Sequence, residues 1–149
     1  MTDSVSGGHD QTAESAPRPS SDLETLNPLI GTWKVTGEAE GTVTYEWADG
    51  GFFLFQHVEL GGSKGLEVIG HDHKYGEDPS ADIRSHYYGF SEGETLDYTY
   101  EIRDRTLTIW MGDRGSPAYY EGTFDAAGTV LTGACTTPAA AATRLCPPK

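Results

Sequence analysis

Between residues 95 and 102 the chain alternates without a fault. Leu96, Tyr98, Tyr100 and Ile102 are apolar or aromatic, and Asp97, Thr99 and Glu101 between them are polar. A two-residue period belongs to a strand with one face buried and one in water. It recurs at Val43, Tyr45 and Trp47 against Thr42, Thr44 and Glu46, and again at Leu107, Ile109 and Met111. Strands are predicted over residues 32–37, 42–47, 52–60, 66–70, 83–90, 95–102, 106–111, 118–124 and 129–134. Most links are hairpin-sized: Asp49-Gly50, the glycine-rich 61–65, Arg103-Asp104-Arg105, and 125–128. A longer polar loop spans 71–82, and no crossover helix is present. Eight or nine strands in chain order predict an all-β, up-and-down antiparallel sheet, and closing it into a barrel removes the exposed edges. Such a barrel has room for packed side chains or for one small ligand.

Ser21-Asp22-Leu23-Glu24 reads as a capping box, with Ser21 as N-cap and Glu24 three residues on. The helix it opens is short, because Asn27-Pro28 disfavours helical geometry at Asn27. Its apolar residues Leu23, Leu26, Leu29 and Ile30 are placed to cover one end of the barrel. Residues 1–20 hold almost nothing that can be buried and read as a disordered acidic tail. The domain is expected over 21–145, with 146–149 frayed.

Ten Lys and Arg against 23 Asp and Glu give a net charge of −13. That balance argues against nucleic acid and anionic membrane surfaces as partners. No apolar run approaches the roughly 18 residues of a spanning helix. The first residues have neither the basic start nor the apolar stretch of a secretory signal, so a cytoplasmic protein is expected, its oligomeric state open and a homodimer allowed. In that compartment Cys135 and Cys146, the only cysteines, are expected unpaired.

Gly31-Thr32-Trp33, just after the short helix and opening the first strand, resembles the Gly-x-Trp of lipocalins and the wider calycin group. The series continues through Tyr45-Glu46-Trp47, Gly50-Gly51-Phe52-Phe53-Leu54, Glu67-Val68-Ile69-Gly70-His71-Asp72 and Arg84-Ser85-His86-Tyr87-Tyr88. It ends with Tyr98-Thr99-Tyr100-Glu101, Leu107-Thr108-Ile109-Trp110, Gly122-Thr123-Phe124 and Leu131-Thr132-Gly133. Taken in order, residues 22–134 resemble the bacterial lipocalin-like family called domain of unknown function 1579. That resemblance implies a calycin-type barrel and no established activity. The end of the chain departs from it. Ala-rich 139–142 replaces the family's Trp-containing strand, and only Thr143-Arg144-Leu145 is similar to its closing strand, so barrel closure is expected to be altered.

The aromatic residues Trp33, Tyr45, Trp47, Phe53, Phe55, Tyr88, Tyr98, Tyr100, Trp110 and Tyr120, with His57 and His86, form the expected lining of an interior site. Aromatic walls with a few polar groups suit a small hydrophobic molecule. An alternative is an isomerase or cyclase working on an apolar metabolite, with His57, His86, Tyr88 and Tyr100 as acid–base candidates. Another is a filled structural core. No cofactor is expected. Nitrobindins, in the calycin group, hold haem through a histidine near the C-terminal end, and this chain has none after His86. His71-Asp72-His73 has the side chains of a zinc fragment but no second ligand pair, and a solvated loop is the expected reading. No nucleophile elbow, P-loop or dinucleotide fingerprint occurs.

Overall fold

The computed structural model describes residues 17–37 and 39–138. The remainder of the expected tail, the closing segment at 143–145 and the frayed end at 146–149 lie outside them.

A 3-10 helix at Ser21–Leu29 leads the fold. Leu23, Leu26 and Leu29 recur every three residues, which is the 3-10 period, so one ridge carries all three and all are buried. Ile30 falls off that ridge and is exposed, contrary to its expected place with the leucines. The expected capping box does not form either. The N-cap is Ser20, and its side chain makes no capping hydrogen bond.

Nine strands follow: β1 (Gly31–Val35), β2 (Gly41–Trp47), β3 (Phe53–Leu60), β4 (Ser63–Gly70), β5 (Ile83–Gly89), β6 (Thr95–Arg103), β7 (Thr106–Met111), β8 (Tyr119–Phe124) and β9 (Leu131–Thr136). Each pairs antiparallel with its neighbours in sequence, so the sheet runs from β1 to β9 in chain order. Strand β4 starts earlier than predicted, because Gly61-Gly62 alone turns the chain and Leu60 pairs with Ser63. Gly65 belongs to the strand for a packing reason. A Cβ there would sit 2.3 Å from the Tyr87 hydroxyl, so only glycine lets that ring lie against the sheet. Between β6 and β7 the turn residues Asp104 and Arg105 both have positive φ, 52° and 64°, the hand that matches strand twist in a two-residue hairpin.

The sheet curls into a half-barrel. Among the described residues β1 and β9 each pair on one side only, and the segment expected to close the barrel lies outside those residues. Side chains bridge part of the gap: the rings of Trp33 on β1 and Phe124 on β8 lie 6.0 Å apart. The 3-10 helix covers one end. Its Leu29 carbonyl accepts from Trp33 Nε1 at 2.7 Å, and its Asn27 Oδ1 accepts from Trp47 Nε1 at 2.9 Å. The Gly-x-Trp tryptophan thus ties the first strand to the helical cap. Leu54, Ile69, Ile83, Leu107 and Phe124 pack beneath the leucine ridge as the centre of the core. Cys135 is disulfide-bonded, which corrects the expectation of a free thiol. That expectation came from an assumed compartment rather than from the fold, and Cys146 lies outside the described residues. No described helix is long and apolar enough to cross a membrane.

Candidate functional site

Strand register decides which expected site residues meet. Val43, Tyr45 and Trp47 of β2 face inward and pair with Val58, Gln56 and Leu54 of β3. Because side chains alternate, this sends Phe53, Phe55 and His57 to the outer face. Phe53 is 43% exposed beside a fully buried Leu54, and His57 Nε2 meets Glu46 Oε2 at 2.7 Å on the outside of β2. On β5 the inward residues are Ile83, Ser85 and Tyr87, so His86 and Tyr88 point out. On β7 they are Leu107, Ile109 and Met111, which leaves Trp110 outside under the Arg114 guanidinium at 4.9 Å.

Six expected lining residues therefore lie on the outer face: Phe53, Phe55, His57, His86, Tyr88 and Trp110. Trp33, Trp47, Tyr98, Tyr100 and Tyr120, with Tyr45, remain inside. The four acid–base candidates are divided, with Tyr100 inside and His57, His86 and Tyr88 outside.

What the inner face adds is a polar cluster that the alternation did not reveal. Glu67 on β4 is 5% exposed and Ser85 on β5 is fully buried. The Ser85 hydroxyl donates to Glu67 Oε2 at 2.5 Å. Opposite Glu67 on β3 stands Gln56, whose Nε2 donates to the Tyr45 hydroxyl at 2.7 Å. Tyr45 also bonds Tyr100, and Tyr100 bonds Glu67, so five strands contribute to one network. Burial, and after it the charge of Glu67, pushes the phenols of Tyr45, Tyr98 and Tyr100 up from their ordinary value. They stay neutral O–H groups throughout the physiological range. In a desolvated setting such hydrogen bonds are stronger than in water. The cluster can hold a polar group of a bound molecule, or exchange a proton with it.

Two other features lie outside the sheet. A surface cleft of about 340 Å³ is lined by Asp72, Lys74, Glu77, Asp78, Asp82 and Arg84 on and beside the 71–82 loop. Its charged walls are open to water, so the buried cluster is the stronger candidate. The zinc-like fragment is split between partners. His71 bonds the Ser80 carbonyl at 2.7 Å and Asp22 of the helix at 2.9 Å, whereas Asp72 turns to His86. Among the described residues no three ligating side chains form a metal site.

His86 has a role the sequence did not suggest. Its Nδ1 lies 2.7 Å from Asp97 Oδ1 and its Nε2 2.9 Å from Asp72 Oδ1. A carboxylate only accepts, so the imidazolium form, in which both ring nitrogens donate, is the one this pair of partners favours. The bond to Asp97, then that to Asp72, raises its pKa above the ordinary imidazole value of 6.5 against the opposing effect of burial. A raised folded pKa means that its stabilisation is complete below about pH 6.5 and fades as pH rises through the folded value. Replacing His86 by Gln is expected to open a melting-temperature gap to the parent that is widest near about pH 6 and shrinks by about pH 9. Thermal melts across that range check this, and a gap that grows with pH would show that the ring is neutral. Compared with models of protein families and with curated proteins, the chain matches none.

Proposed function

We propose that the protein is a binding module that takes a small hydrophobic molecule onto the inner face of its half-barrel. One observation carries this reading. The inner face keeps apolar side chains half-buried at Val35, Val58, Leu60, Leu96 and Met111, around the buried Glu67 cluster. Partly hydrated apolar surface on a concave face gains about 25 cal/mol for each Å² that a ligand covers, and apolar walls with a few polar groups are the usual makeup of a ligand site. Fold alone does not assign the function; the proposal rests on the makeup of the inner face.

The neutral fluorophore N-phenyl-1-naphthylamine tests it. Its emission is expected to rise on mixing and to saturate at one probe per chain. Leu96→Asp, which sets a carboxylate at a half-buried inner position, is expected to weaken that binding at least about tenfold while the far-ultraviolet dichroism stays unchanged. Emission that never saturates, or is equal in the folded variant, would overturn the proposal.

A further inference from the structure

Within the proposed binding face, one polar group is left without a partner among the described residues. Tyr98 lies on the inner side of β6, between Ser85 of β5 and Met111 of β7, and is 8% exposed. Its hydroxyl makes no hydrogen bond to any described residue. Tyr45, Tyr100 and Ser85 each bond within the Glu67 cluster, so Tyr98 stands apart from them. Burying an O–H without a partner sacrifices its hydration. Phenylalanine would fill the same space without that loss.

Tyr98 stands directly across from Ser85, which donates to Glu67, so the hydroxyl and the carboxyl share one patch of the inner face. The inner face therefore offers a donor, the Tyr98 O–H, beside an oxygen-rich acceptor cluster of Glu67 and the Tyr45 and Tyr100 phenols. We infer that Tyr98 and the Glu67 cluster form a head-group subsite for an apolar molecule ending in a hydroxyl. A hydroxyl accepts and donates at once. Its oxygen takes the Tyr98 hydrogen, and its own hydrogen goes to the cluster. A carboxylate end, like an ammonium, must give up the hydration of a full charge in this desolvated site. A protonated amine has no lone pair for Tyr98, and a plain hydrocarbon leaves the Tyr98 O–H unsatisfied. The inference rests on the binding reading above and narrows it to alcohols.

Displacement of N-phenyl-1-naphthylamine at neutral pH by octan-1-ol, octanoate and octylamine tests the inference. Octanol is expected to displace the probe at concentrations at least about tenfold lower than octanoate or octylamine. Tyr98→Phe is expected to raise the octanol requirement about five- to tenfold, to leave octanoate unchanged, and to melt no lower than the parent. Octanoate or octylamine matching octanol on the parent, or Tyr98→Phe binding octanol as the parent does, overturns the subsite. A probe that binds but yields to none of the three overturns it while leaving the binding face intact. A probe that does not bind at all removes both.

Discussion

Tyr100→Ala is expected to cost about 3–5 kcal/mol of unfolding free energy, the range for removing a buried aromatic side chain. Tyr100 is 2% exposed and among the largest fully buried side chains of the protein. It stands on the inner face of β6 opposite Ile83 and Ile109, so its removal empties the layer between the β5 and β7 core residues. It also takes a hydrogen-bond partner from Glu67. A buried carboxylate stripped of a donor recovers none of the hydration it gave up, which sets the loss toward the upper end. Tyr100→Phe separates the two contributions. It keeps the ring and removes only the hydroxyl, with an expected loss of about 1–3 kcal/mol. Urea unfolding of parent and both variants measures the difference at constant m. A loss below about 1 kcal/mol for Tyr100→Ala would mean that the inner layer is not the cohesive core of this sheet.

Gly41→Ala is the second large effect, at about 3 kcal/mol, the upper end for overpacking. A Cβ at this position would lie 2.0 Å from the Glu59 carbonyl oxygen and 2.9 Å from Leu60 Cα. Both are backbone atoms, so no rotamer relieves the overlap and the β2–β3 ladder itself must open where Gly41 pairs with Leu60. Gly65→Ala is a useful contrast. There the added methyl meets the far end of the Tyr87 ring, which can swing aside at a smaller cost. The order Gly41 above Gly65, read from denaturation midpoints, checks the β2–β3 register directly. The reverse order would place Gly41 elsewhere than opposite Leu60.

That register is also where sequence reading lost part of the site. Strand β6 alternates apolar and polar residues, and its inner face, with Tyr98 and Tyr100, was legible at once. Strand β3 carries Phe53 and Phe55 on one face and Leu54 and Val58 on the other, so its pattern has no preferred phase. Strand β4 is the same, with Leu66 and Val68 set against Ile69. A one-residue change of phase exchanges the faces completely. Aromatic bulk at Phe53 and Phe55 argued for the interior, and the neighbours decided otherwise. With Tyr45 and Trp47 of β2 held inward by the cap and the core, their partners Gln56 and Leu54 had to follow. Glu67 then came inside opposite Gln56, a carboxylate that no single-strand pattern would place in a core. Its signal lies in a cross-strand pair, and one strand read alone does not hold it.

The amino-acid sequence by itself determined the two-residue period, the position of the turns and the short leucine-bearing helix, because these depend on neighbours along the chain. From them followed the all-β, up-and-down order of strands. Tertiary structure alone decided which face of β3, β4 and β5 is inner, and that the described sheet stops at a half-barrel. It also decided that Glu67, Ser85, Gln56 and the tyrosines meet. The physical reason is that burial of a side chain on a two-faced strand is set by what the adjacent strands place beside it. Those contacts join residues far apart in the chain and exist only once the sheet has curled.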